Sequence, residues 1–380
     1  MNTAEHYLSG RHIAHVWNAY LQACLRIPFK MEEMRMKKKL LAIVLSLAMA
    51  AGLMACGGTQ KDTKEKAKAD TASSENVDNK EDIKIGMVTY MMAQEWYQNI
   101  VSGAQEKADS IGIDLMVADA NNDASKQVEQ VENMITQGVD AIIISPVDTK
   151  ALATVVKKAQ DQGIKVVCES NKVEGADTRV GIPDKECGIA SGNWFAEYVK
   201  ANKIDPKILI LGYESLENCR NRTEGFKEAL EESGIDYEIV TEVDGGFREE
   251  SMNATIDALT AHPEINAVFG INDDSTLGAV SAIRQVGSGN DFITMLYGVE
   301  GAAGRDALKN DDLITAGLCS FPEYVGSVCV DAAVDAINGT AKEEYISPTT
   351  VIEKADFGTY FTEDGDSYKV NFEAVDKLNK

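Results

Sequence analysis

From residue 83 onward the chain alternates short β-branched runs with amphipathic helical stretches, and that alternation admits few folds. Strands are expected at 83–89, 113–119, 140–145, 164–168, 207–212, 237–243, 266–271, 292–298 and 314–319. Between them the apolar period lengthens from two to about 3.6. Val128, Val131 and Ile135 mark one helical face, and Leu152, Val155, Val156 and Ala159 mark another. Gly112, Gly138 and Gly163 each end a helix shortly before a strand, where a left-handed residue costs least. This repetition predicts an α/β fold of parallel sheets covered by helices on both faces.

Sheets of that kind bind ligands at the carboxyl ends of their strands, where the loops open. Residues just after each strand are therefore candidates, and mid-strand residues are core. The first strand contributes Thr89, Tyr90, Gln94, Glu95, Trp96 and Tyr97, and the fourth contributes Glu169, Ser170 and Asn171. Later strands add Glu214 with Arg220 and Arg222, then Phe247, Arg248, Asn272, Asp273, Asp274, Glu300 and Ser320. Carboxylates, amides, arginines and aromatics dominate, and no nucleophile–base pair stands among them. The set suits a small polyhydroxylated ligand: carboxylates accept hydroxyl protons, Arg and Asn donate, and aromatic faces cover C–H surfaces.

Arg35-Met36-Lys37-Lys38-Lys39 precedes the apolar run 40–55 and then Cys56. The run falls short of the ~20 residues of a spanning helix, and with its basic flank it is expected to be a secretory signal over 36–55. Leu53-Met54-Ala55-Cys56 resembles the lipobox of bacterial lipoproteins, which implies diacylation of Cys56 and cleavage before it. Residues 57–82 lack aromatics and almost all large apolar side chains, so burial cannot offset their ordering entropy. They are expected to be a flexible tether spanning roughly 25 to 30 Å root-mean-square. Residues 1–35 carry no clear pattern, Met31, Met34 and Met36 offer internal starts, and no function is assigned there.

The net charge is −24; residues 1–56 hold seven Lys/Arg against three Asp/Glu, which leaves −28 on the remainder. Such a surface repels phosphate backbones and argues against a nucleic-acid role. Five cysteines follow the tether, an odd number that excludes a full disulfide framework, so buried thiols are expected. His262 is the only histidine after the tether, which argues against zinc. No cofactor and no metal are expected, and Asp364-Gly365-Asp366 lacks the spacing of a calcium loop.

Four segments carry a family resemblance: Arg220-Asn221-Arg222-Thr223-Glu224-Gly225-Phe226; 260–269, with His262-Pro263-Glu264 at its centre; Asn272-Asp273-Asp274 followed by Leu277-Gly278-Ala279; and Tyr297-Gly298-Val299-Glu300-Gly301. In this order they resemble the type I periplasmic sugar-binding proteins, ribose binders in particular, over residues 83 to about 351. The resemblance implies two similar doubly wound lobes joined by a three-crossing hinge, with the ligand enclosed between them. Residues 83–183 with 321–346 would form the N-terminal lobe, and 184–320 with 347–380 the C-terminal lobe.

By the same match, Trp96 and Tyr97 stand at sugar-stacking positions and Gln94 at a hydrogen-bonding one. Glu169 and Glu300 replace aspartates, Arg220 matches a sugar-contacting arginine and Asn272 an asparagine. Phe247 matches an aromatic if one gap is allowed. Ser170 replaces an arginine, Ser320 replaces a glutamine, and one extra residue lies between Thr89 and Trp96, all departures from a ribose site. The longer acids suit a smaller or more linear ligand such as a sugar alcohol. Thr89 completes the expected ligand set. Arg222 is expected to face solvent or make a salt bridge.

The resemblance implies a monomeric, non-enzymatic solute-binding lipoprotein on the outer face of a membrane, delivering a monosaccharide or polyol to an ABC permease. Three rivals remain at this point. A sensor would present the ligand to a receptor kinase or chemoreceptor. A regulator of the lactose-repressor type shares the core but needs a helix-turn-helix ahead of it. A glycosidase would set the two acids to work as an acid and a base.

Overall fold

The computed structural model describes residues 83–379 apart from 288, 290 and 366. The expected signal, lipobox cysteine and tether lie outside the described residues.

Nine strands form where β-branched runs predicted them: β1 (Lys84–Thr89), β2 (Asp114–Asp119), β3 (Ala141–Ile144), β4 (Lys165–Glu169), β6 (Lys207–Gly212), β7 (Glu238–Asp244), β8 (Ala267–Gly270), β9 (Ile293–Gly298) and β10 (Ala316–Cys319). Five more escape the pattern: β5 (Thr178–Gly181), β11 (Glu344–Ile346), β12 (Thr350–Ile352), β13 (Phe361–Asp364) and β14 (Ser367–Val370). The helices are α1 (Glu95–Ser110), α2 (Ala124–Gln137), α3 (Thr149–Asp161), α4 (Asp184–Asn202), α5 (Glu217–Ser233), α6 (Arg248–Ala261), α7 (Asp273–Val286), α8 (Ala302–Asn310), α9 (Pro322–Asn338) and two short C-terminal ones, α10 (Phe357–Tyr360) and α11 (Phe372–Asp376).

Two six-stranded sheets result, ordered β11-β5-β4-β3-β1-β2 and β12-β10-β9-β8-β6-β7. All pairings within them are parallel except β10 with β12. Each sheet therefore reverses its winding once, between β1 and β3 in the first and between β6 and β8 in the second. Such reversal points open a crevice at the strand carboxyl ends. The chain passes between the sheets three times: between Gly181 and Asp184, between Cys319 and Pro322, and between Ile346 and Thr350.

The central strands are buried on both faces, as parallel strands between helices must be; β3 is Ala-Ile-Ile-Ile without exposure. On α3 the residues that meet the sheet are Leu152, Val155, Val156 and Ala159, the face read from the sequence. In each lobe one helix pair packs so closely that only glycine fits. A Cβ on Gly225 of α5 would overlap the Lys185 carbonyl of α4, and one on Gly103 of α1 would overlap the Glu323 carbonyl of α9. The five cysteines of this region are free thiols, all buried.

After β12 the chain folds back as short helices and the β13–β14 hairpin. Its Phe357, Phe361, Val370 and Val375 share an apolar cluster with Leu296, Leu308 and Phe321. Phe321 lies on the second inter-sheet passage at φ 50°, a left-handed conformation that a bulky side chain adopts only under constraint from its surroundings.

Candidate functional site

The carboxyl ends of both sheets contribute to one cavity of ≈ 90 Å³. A water needs roughly 10 to 15 Å³ on this measure, so the space suits a small molecule. From the first lobe come Tyr90, Gln94, Trp96 and Tyr97 after β1, and Glu169 and Ser170 at the end of β4. From the second come Tyr213, Asn218, Cys219 and Arg222 after β6, Phe247 after β7, Asn272 and Asp274 after β8, and Glu300 after β9.

The aromatic residues are ordered by one another. Tyr90 and Tyr97 stack with ring centroids 5.4 Å apart at 16°, and Tyr213 meets Phe247 edge-on at 6.1 Å. Trp96 and Tyr97 both line the cavity while also packing against the core. Gln94 caps the start of α1 with its backbone, which leaves its side chain for the cavity.

Arg222 is the only cation among the described residues that line the cavity. Its Nε lies 2.8 Å from Asp184 Oδ1, its Nη1 donates to the Ile271 carbonyl at 2.9 Å, and its guanidinium lies 4.7 Å from the Tyr297 ring centre. Arg220, expected to contact the ligand, does not line this cavity; it is half-buried, lines the adjoining opening between the lobes and donates to the Glu214 carbonyl at 2.6 Å. Residues two apart on a helix point about 200° apart, so the two arginines face different parts of the cleft, Arg222 this cavity and Arg220 the neighbouring opening that Ser170, Ile182 and Asn218 also line. The signal that would have chosen Arg222 is its spacing from Asn218 and Cys219, which places all three on one face of α5.

Thr89 and Ser320 also lie off the cavity. Each is fully buried with its hydroxyl directed to a main-chain carbonyl, Thr89 to Ala118 at 3.4 Å and Ser320 to Gly298 at 3.2 Å. Asn272 lines the cavity, yet its amide is already engaged. Oδ1 accepts from the Ser275 N–H at 2.8 Å as the cap of α7, and Nδ2 donates to the Gly246 carbonyl at 2.9 Å. Asp273, a strand-end candidate to which the family match gave no role, holds the Glu300 loop: its carboxylate accepts from the N–H groups of Val299 and Glu300 at 3.1 and 2.7 Å.

Three carboxyls here are pushed above their ordinary range, burial being the main cause. Glu169 is raised to about 7; the nearby Ser145 hydroxyl, the Trp96 indole and the Arg222 charge offset part of the burial effect, while Asp184 adds to it. Asp273 and Glu300 are raised together, each by burial first and then by neighbouring acids, with backbone N–H groups easing Asp273. Two acceptors in the cavity wall, Glu169 Oε2 and Asn218 Oδ1, are buried without a hydrogen-bond partner. Each costs about 1 to 3 kcal/mol while it remains so.

Two similar α/β lobes that enclose a partly apolar, acceptor-rich cavity define a two-lobed solute-binding protein. The chain belongs to the periplasmic binding protein domain family, whose sequence profile matches residues 85–341. It is 30% identical over 290 residues to the ribose import binding protein of Bacillus subtilis, covering 74% of this chain and 90% of that one. It is 34% identical over 217 residues to a D-ribose/D-allose-binding protein of Pseudomonas aeruginosa, covering 54% and 67%. Among solved structures it is similar to an ABC transporter solute-binding protein from Actinobacillus succinogenes with bound D-allose (25% identity, TM-score 0.68, 73% of this chain and 100% of that one). Another, from Bacillus halodurans with bound myo-inositol, gives 27% identity and a TM-score of 0.66 over 75% of this chain and 99% of that one. Among the described residues no helix is long and apolar enough to cross a membrane.

The raised Glu169 carboxyl has a consequence for stability. An unfolded Glu releases its proton near 4.5, whereas the folded protein keeps it until about 7, so folding becomes less favourable as pH rises through that window. Above it the full cost, about 3 kcal/mol, is present. Glu169→Gln removes the titration. The ligand-free variant should match the parent near pH 4.5 and gain on it by up to that amount at pH 8, as read from urea unfolding at both values. A difference independent of pH would contradict the assignment.

Proposed function

We propose that this protein is the extracytoplasmic solute-binding component of an ABC importer, and that it captures a monosaccharide or related polyol between its lobes for delivery to a membrane permease. The observation that carries the reading is the pair of unpartnered acceptors, Glu169 Oε2 and Asn218 Oδ1, in a cavity walled by aromatic rings. A ligand rich in hydroxyls supplies donors to the first and C–H faces to the second. The named ligands of the similar proteins, ribose, allose and myo-inositol, are of this kind. The cleft residues serve binding, with Gln94, Glu169, Asn218 and Glu300 available to hydroxyls and Arg222 fixing the wall opposite.

A thermal-shift screen of the full chain against pentoses, hexoses, polyols, sugar acids, nucleosides and amino acids tests this. Binding to the folded state alone raises the unfolding temperature, with about 2.7 kcal/mol gained at a hundredfold excess over Kd. A shift with sugars or polyols is expected, and a shift with amino acids only would overturn the reading. For the ligand found, Trp96→Ala should weaken binding severalfold without unfolding the protein, since ring stacking adds roughly 0.5 to 1.5 kcal/mol beyond area burial. Unchanged affinity would remove Trp96 from the site.

The same proposal includes anchoring through lipid on Cys56, which leaves the binding domain on a flexible lead outside the membrane. Mass spectrometry of the mature chain should find Cys56 at the amino terminus and acylated; an unmodified Cys56 would refute the anchor.

A further inference from the structure

The charges around the cavity do not cancel. Arg222 is committed to Asp184 at 2.8 Å, and Asp274 at the rim is answered by Arg248 at 2.9 Å. That leaves Glu169 and Glu300, neither of which has an ion pair among the described residues. Glu169 is 1% exposed, and its Oε2 accepts no hydrogen bond. The unpartnered Asn218 Oδ1 is a further acceptor. Trp96 and Tyr97 stand beside Glu169, with Tyr90 stacked behind Tyr97.

A neutral hydroxyl can satisfy an acceptor, but it leaves Glu169 without an ion-pair partner, so the acid can ionise in the cavity only at a cost. An ammonium group answers the acceptor and the charge together, and aromatic faces attract it as well. We infer that the ligand is an amino sugar or amino polyol whose protonated amine is seated against Glu169 between the Trp96 and Tyr97 rings. This rests on reading the cavity as a site for a sugar or polyol, and narrows it to the cationic members of that class. Burial holds Glu169 and Glu300 above their ordinary range although the Arg222 charge acts against it on both, and Arg222 is itself paired with Asp184.

The test is calorimetric titration of the full chain at pH 6.5 with D-glucosamine, D-galactosamine, D-mannosamine and an inosamine. Each is paired with its neutral parent and its N-acetyl derivative. At least one amine should bind about tenfold or more tightly than both of its neutral partners. That ratio should fall toward one in Glu169→Gln. A second measurement does not depend on the variant folding: the same titration in two buffers of unlike ionisation heat should record proton release, because Glu169 gives its proton to the buffer as it meets the ammonium. A neutral parent that binds as tightly as its amine, or amine binding without proton release, would overturn the inference while leaving the sugar reading intact. Failure of every sugar and polyol, neutral and amino, would overturn both.

Discussion

The cleft and its hinge are held in register by one buried guanidinium. Arg305 of α8 is 2% exposed and spends all five of its N–H groups inside the protein. Nη1 and Nη2 meet the two carboxylate oxygens of Glu323 at 2.7 and 2.8 Å. The remaining donors reach the carbonyls of Tyr368 at 3.0 Å, Glu300 at 3.1 Å and Val299 at 3.3 Å. A buried charge is tolerated only when its geometry and its hydrogen bonds are this complete. The residue thereby ties together the loop that presents Glu300, the first turn of α9 just beyond the second passage between the sheets, and the C-terminal hairpin. Two strained positions sit next to it in the chain path, Val299 at φ 47° and Phe321 at φ 50°. Such conformations persist where surrounding contacts over-determine them: Arg305 holds the Val299 carbonyl, and the Tyr360 and Phe361 rings pack on Phe321.

How much of the structure is legible in the sequence depends on how local each signal is. Nine strands and the inward face of α3 were legible because each is a run of side chains that pack on one sheet, and hydrophobic period is a local property. β5 was not, since Thr-Arg-Val-Gly is short and half polar; it becomes a strand by lying between β4 and β11 in the sheet. The β13–β14 hairpin was invisible for a related reason, its burial coming from Leu296, Leu308 and Phe321, far away in sequence. In the cavity the rule that residues follow strand ends located Trp96, Tyr97, Glu169, Phe247, Asn272 and Glu300 in its wall. It could not say which way a side chain turns. Thr89 and Ser320 satisfy the rule and still bond to backbone, and of the two arginines the family match pointed to Arg220, whereas Arg222 lines this cavity. Asp273 reads as one more loop acid until its two bonds to the Glu300 loop are seen.

The same unpartnered groups that mark the cavity also bear on when it closes. Asn99 of α1 donates to the Glu300 carbonyl at 2.5 Å, so the first lobe grips the second beside the site. The cleft buries Glu169 Oε2 and Asn218 Oδ1 without a hydrogen-bond partner, at about 1 to 3 kcal/mol each. Burial also raises the carboxyls of Glu169 and Glu300 above their ordinary range. Opening restores water to all of these groups and lets the carboxyls ionise. A ligand that donates to them removes the same costs without opening. It therefore favours the closed arrangement by its differential interaction with the two states, which is the only way a ligand can shift such an equilibrium. On the proposed function, the groups that choose the ligand are thus also the groups that report its presence to the hinge.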